Sequence, residues 1–125
     1  MPYTIKHDPS SGIIEVIYTG RIAGADFREG TSACISLQKS SGATLFLVDL
    51  DGSEVGASTL EIYDLPDKQY REEQLDVRSR IAVIPGPNAR AREAALFFQA
   101  ACRNRGWNAR VVPDHQAAID WLRSP

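Results

Sequence analysis

Cysteine, histidine and methionine are scarce in this 125-residue chain, at two, two and one. Two cysteines cannot build the disulfide framework of a small secreted domain. Cys34 and Cys102 fall inside helix-like segments, so they are expected to be reduced, buried thiols. His7 and His115 each lack a cysteine or a second histidine at ligand spacing, and no metal site is expected. No apolar run approaches the roughly 18 residues of a membrane span, so no integral membrane segment is expected. Met1-Pro2-Tyr3-Thr4 leads straight into a strand pattern without a charged and apolar leader, and the expected location is the cytoplasm. A basic excess is also missing. The net charge is −2 and the pI near 5.6, which gives no global reason to bind nucleic acid or an anionic membrane.

What is present is ordinary for a folded domain, 43% hydrophobic and 24% charged residues, and the length suits one domain over residues 1–125. Tyr3-Thr4-Ile5-Lys6-His7 alternates, Asp8 to Gly12 is a turn cluster, and Ile13 to Tyr18 is rich in β-formers, which predicts a pair of strands. From Ala25 to Ser40 the period becomes helical, with Phe27, Thr31, Cys34 and Leu37 on one face. Thr44 to Val48 is a continuous apolar run suited to a central strand. Ser58 or Thr59 can cap a second helix with Leu60, Tyr63 and Leu65 near one stripe, which Pro66 must end or bend. Arg80 to Ile84 is a buried strand closed by Pro85-Gly86-Pro87. Asn88 caps a helix from Ala89 to Arg105 with Ala94, Phe97, Phe98 and Ala101 aligned. Asn108 to Val112 makes a last strand, and Asp114 caps a final helix with Ala117, Ala118, Trp121 and Leu122 on its apolar side. The fold class expected is α/β: one domain with a sheet of four to five mostly parallel strands, an antiparallel opening strand, and about four helices. Sites in such sheets lie past the carboxyl ends of strands, here after Val48, Ile84 and Val112.

The stretch Leu45 to Gly56, "LFLVDLDGSEVG", resembles the first motif of the haloacid-dehalogenase phosphatases, in which the first Asp attacks phosphate and the second acts as acid and base. Such an enzyme also needs a hydroxyl after the next strand, a lysine against the phosphoryl charge and an acidic pair for magnesium. The next strand ends in Pro85-Gly86-Pro87, and Val112-Pro113-Asp114 offers no acidic pair. Asp49 and Asp51 have a simpler role, bonding to the backbone at a strand end beside Gly52. A receiver domain fails likewise, since His7-Asp8 is not the acidic pair it needs. No catalytic residue set assembles.

The central "LFLVDL", the strand "RIAVIPGP", the run "EAALFFQAACRNRGWNARVV" and the closing "HQAAIDWL" together resemble the SpoIIAA-like family of the STAS/SEC14-like fold group. The resemblance spans nearly the whole chain and is most specific from Phe97 to Leu122. It implies a sheet of four to five strands backed by helices, in a family whose members mostly have no assigned activity. The anti-sigma-factor antagonists that name the family carry an Asp-Ser-Ser/Thr-Gly motif whose first serine is phosphorylated. Gly56-Ala57-Ser58-Thr59 departs from it at the Asp, the first serine and the Gly, leaving Ser58 as the candidate phosphorylation site and, more simply, a helix cap.

Three further candidates remain. Asn88, Arg90 and Arg92 follow the Pro-Gly-Pro loop, where free amides and guanidinium groups suit an anion. Leu60, Tyr63, Leu65 and Tyr70 concentrate apolar and aromatic surface around Pro66, suiting a ligand lid, a partner surface or a bent helix on its own core. Arg103, Arg105 and Arg110 near Trp107 are not expected to bind nucleic acid; Trp107 and Trp121 are expected to anchor the last helix to the sheet. The expected function is a non-enzymatic regulatory or interaction domain without cofactors, acting through a protein partner or a homodimer. The alternative is a carrier or sensor of a small apolar or acidic, lipid-like ligand.

Overall fold

The computed structural model describes residues 2–125. Strand β1 (Tyr3–Asp8) turns into β2 (Ile13–Ile22) through a cluster in which Asp8 accepts bonds from the backbone N–H and hydroxyl of Ser10. Helix α1 (Gly24–Ser41) leads to β3 (Leu45–Val55). Helix α2 (Thr59–Asp64), a π-helical turn (Leu65–Gln69) and a short α3 (Tyr70–Glu72) then lead to β4 (Arg80–Ile84). Helix α4 (Ala89–Asn104), β5 (Asn108–Val111) and α5 (His115–Leu122) complete the chain. The five strands lie in the order β1-β2-β3-β4-β5; β1 pairs antiparallel with β2, and the remaining pairs are parallel. Because the order never reverses, the sheet has no topological switch point of the kind that forms the ligand crevice of a doubly wound sheet.

That order also decides where the helices go. Crossovers between parallel neighbours are right-handed, so α1, α2–α3 and α4, each moving one strand in the same direction, stack on one face. There Val16, Phe46 and Val83 pack against Phe27 and Ile35 of α1 and Phe98 of α4. Only α5, which follows the last strand, is free to fold back over the other face, where Ala118 and Leu122 meet Leu47, Ala82 and Ile84. Arg80, at the start of β4, fixes the far end of α5. Its guanidinium lies 5.8 Å from the Trp121 ring centre and donates to the carbonyls of Trp121 and Ser124, a cation placed against the negative end of a helix.

Three sequence expectations need correction. Strand β3 does not stop at Val48 but continues to Val55, and Asp51-Gly52 is not a turn. The pairing slips between Ile17/Asp49 and Thr19/Gly52, which is a bulge, and the Asp49 carboxylate accepts from the Asp51 N–H inside it. Of the expected apolar face of α4, Phe98 and Ala101 are buried, but the face is centred toward Ala91, Ala95 and Cys102, and Phe97 points outward. Trp107 does not anchor α5; it packs edge-on against Tyr70 on the opposite face. Pro66 bends rather than ends its segment. It has no N–H for the Ile62 carbonyl, which instead accepts from Leu65, and the widened turn closes with the Tyr70 N–H on the Leu65 carbonyl.

Behind this face lies one buried polar junction. Gln38, at the end of α1, donates to the Ala43 carbonyl and the Ser79 hydroxyl and accepts from the Asp76 N–H. Three bonds from one buried amide hold α1 to the loop before β4. Replacing Gln38 by Leu keeps the volume but orphans those groups, and each unsatisfied buried group costs about 1–3 kcal/mol. Gln38→Leu should therefore lower stability by about 2–4 kcal/mol in urea unfolding, and a loss under about 0.5 kcal/mol, the usual range of surface changes, would contradict this role.

Candidate functional site

Three helices on one face enclose an apolar cavity of about 80 Å³. Tyr18, Val48 and Leu50 line it from the sheet, Thr31 and Cys34 from α1, and Leu65 and Tyr70 from the segment after Ser58; Ala94 and Phe98 close it from α4. Period explains the lining. Alternate residues of β2 and β3 face the helices, while positions three and four apart on α1 and α4 face the sheet.

Two phenols are buried in this apolar wall. Tyr18 and Tyr70 are both buried, and burial pushes each hydroxyl well above its usual range near 10. Tyr18 stacks obliquely on Phe27 at 4.8 Å, and its hydroxyl abuts Gly30, where an added Cβ would lie 2.2 Å from the oxygen. Gly30 is therefore required by a neighbour and not by its own backbone. An exposed helix-interior Gly→Ala normally gains up to about 1 kcal/mol. Here overpacking reverses the sign, and Gly30→Ala should cost about 1–3 kcal/mol. The pair Tyr18→Phe with Gly30→Ala should recover part of that loss in thermal melts, and no recovery would place the strain elsewhere.

The thiols are equally inert. Burial pushes Cys34 up to about 12 and Cys102 higher still, so both remain thiols at neutral pH. A disulfide reagent at pH 8 should label neither in the folded protein and both in guanidinium. Labelling of the cavity residue Cys34 under native conditions would reveal that the cavity opens.

The sequence-predicted residues do not converge. Leu60 points outward at 66% exposure, whereas Leu65 and Tyr70 are buried, so the expected stripe with Tyr63 does not form. Tyr63 is covered by Arg105, whose guanidinium lies 4.2 Å from the ring centre, bonds the Tyr63 hydroxyl and pairs with Asp67 at 2.8 Å. Arg105 thereby ties the π turn to the end of α4, and the neighbouring Arg103 donates to the Ala109 carbonyl. Of the anion candidates, Asn88 accepts from the Ala91 N–H as a cap and Arg90 donates to the Val55 carbonyl. Arg92 is exposed, and none of the three lines the cavity.

Ser58 is exposed and sits in a reciprocal cap. Its hydroxyl accepts from the Glu61 N–H, and the Glu61 carboxylate accepts from the Ser58 N–H. The Ser58 backbone and hydroxyl, with Arg28, hold the Glu61 carboxyl below the usual carboxylate range. A phosphate on Ser58 would meet that carboxylate and compete with it for the helix N-terminus. The fold also makes a grouping that local spacing did not show: on the opposite sheet face, ligand-type atoms of Glu15, Asp49 and His115 lie within 4.8 Å of one another.

No family model matches the sequence, and no curated protein matches it. Solved structures do. The anti-sigma factor antagonist SpoIIAA in its unphosphorylated form superposes with a TM-score of 0.61 at 14% identity, over 98% of this chain and 99% of that one. An uncharacterized DUF3478-family protein with a SpoIIAA-like fold from Shewanella loihica PV-4 gives 0.61 at 18% identity, over 96% and 91%. The Bacillus cell fate determinant SpoIIAA in its phosphorylated form gives 0.58 at 17%, over 97% and 99%. Along nearly its whole length, then, this chain has the SpoIIAA-like fold.

Proposed function

We propose that this chain is a non-enzymatic, cytoplasmic regulatory domain of the STAS type that acts by protein binding, to a partner or to a second copy of itself. The observation that carries the reading is the apolar surface left outside by the packing of α2 on α4. Leu60 of α2 and Leu96 and Phe97 of α4 are exposed at 66%, 43% and 37%, and large exposed apolar side chains on neighbouring helices suit an interface. The buried, protonated state of Tyr18, Tyr70 and Cys34, which line the cavity, supports binding over catalysis. An antagonist of an anti-sigma factor works by contacting another protein, and that role of a structural neighbour is consistent with the same surface.

The carrier reading draws on the cavity itself. Its 80 Å³ falls well below the ~300–1,000 Å³ of usual ligand pockets, so a lipid-like ligand requires the segment from Ser58 to Tyr70 to move outward. Neither Arg90 nor Arg92 is placed to neutralise an acidic ligand inside.

Leu60→Asp combined with Phe97→Asp tests the interface. Exposed positions shift stability by about 0.5 kcal/mol or less, so the melting temperature should hold within a few degrees. Self-association seen by sedimentation, or capture of a partner, should be lost. A double variant that keeps every association of the parent overturns the reading. A small molecule released from the purified protein only on denaturation, seen by native mass spectrometry, moves the balance to the carrier.

A further inference from the structure

The second sheet face is covered by one short helix, and at the edge of that cover three ligand-type side chains meet. Glu15 and Asp49 stand on the same face of adjacent parallel strands, since Glu15 pairs with Leu47 and Ile17 with Asp49. His115 comes from the first turn of α5. Its Nε2 lies 2.9 Å from Glu15 Oε2 and 3.3 Å from Asp49 Oδ2. Asp49 is oriented by its other oxygen, which accepts from the Asp51 N–H in the bulge, so Oδ2 is the one turned to the imidazole.

Charge is unbalanced at this point. The side chains of Glu15 and Asp49 are only 22% and 12% exposed, and among the described residues neither carboxylate has a lysine or arginine nitrogen within 4.0 Å. Lys6 stands opposite Glu15 on β1 without reaching it. Two partly buried carboxylates against one imidazole leave a net negative charge even when the imidazole is protonated, a charge that a cation held between them would offset. The positive end of α5 contributes only about +0.5. A single Nε2 proton also serves one carboxylate at a time, whereas an ion in the centre bonds all three atoms together.

We propose that Glu15, Asp49 and His115 form a binding site for one divalent transition-metal ion of the zinc class. Bonds of ~2.0–2.2 Å arranged tetrahedrally about an ion place neighbouring ligand atoms about 3.3–3.6 Å apart, so the 3.3 Å between His115 Nε2 and Asp49 Oδ2 fits as it stands, and Glu15 Oε2, 2.9 Å from Nε2, needs to move outward by only a few tenths of an ångström. One imidazole nitrogen with two carboxylate oxygens suits zinc, manganese or iron(II), not the all-oxygen cages of calcium and magnesium or the sulfur sites of copper(I). His115 is 51% exposed, so the outer side of the ion faces solvent and keeps a position for water. Drawn from β2, β3 and α5, the ligands clasp the start of the last helix to the part of the sheet it leaves uncovered.

Titration of the chelator-treated full chain with zinc chloride tests this directly. Calorimetry should give one Zn²⁺ per chain, and Glu15→Gln and His115→Gln should each weaken binding by about tenfold or more, at least the effect of losing an outer-shell partner. His7→Gln should bind as the parent does. Co²⁺ should broaden amide resonances around residues 15, 49 and 115 and leave those around the cavity sharp. Using two separate ligand variants guards against one that fails to fold. The absence of saturable binding overturns the site, as does binding that survives both ligand variants or is lost in His7→Gln.

Discussion

Consecutive strand order, joined by crossovers that must be right-handed, is the constraint on which the rest of the structure depends. Each crossover steps one strand further in the same direction, so three helical connections have no choice but to share a face. The sheet is therefore buried unevenly. One face carries a deep core from Tyr18 and Phe46 to Phe98 and Trp107, and the other is covered by Ala118 and Leu122 of a single eight-residue helix. Apolar side chains on the first face and polar ones at the open end of the second follow from that asymmetry. So does the split between two candidate sites: a cavity beneath three helices on one side, and a charged cluster at the rim of the lone helix on the other.

The segment from Ser58 to Glu72 is where the deep face is least regular. Its entry is fixed by the reciprocal Ser58 and Glu61 cap, and its middle is widened into a π turn because Pro66 offers no N–H. Polar ties hold it from outside: Gln69 donates to the Arg28 carbonyl and the Ser32 hydroxyl, and Arg105 pairs with Asp67. From inside, Leu65 and Tyr70 reach the cavity. The buried carbonyl oxygen of the Gln69 side chain has no partner among the described residues, a local cost in an otherwise satisfied core. Burial of Ile62, Leu65, Pro66 and Tyr70 in the core holds the segment from inside, alongside these polar ties.

Local chemistry was legible from residues alone. Asn88 and Asp114 cap their helices as expected, because a side-chain oxygen and the amides it serves lie within three residues. The alternation of β1 and the run before Asp49 identified strands for the same reason. Longer inferences lost accuracy where a neighbour decided the outcome. Phe97 and Phe98 look alike in sequence, yet only Phe98 meets Tyr70, at 6.4 Å. Tyr63 belongs to an apolar stretch but is claimed by Arg105, and Asp51-Gly52, which reads as a turn, is carried through as a strand by pairing with β2.

By itself the sequence determined the kinds of element, their order and most of their caps, because those depend on period and on groups a few residues apart. It also determined that the chain would form an α/β domain, since apolar runs alternate with amphipathic ones. Only the tertiary structure decided the strand order, the face each helix covers, and the meeting of Glu15, Asp49 and His115. Those three residues are distant in the chain, and nothing in their local surroundings marks them as partners. Pairing β2 beside β3, and folding α5 back across them, is what brings two carboxylates and an imidazole within bonding distance.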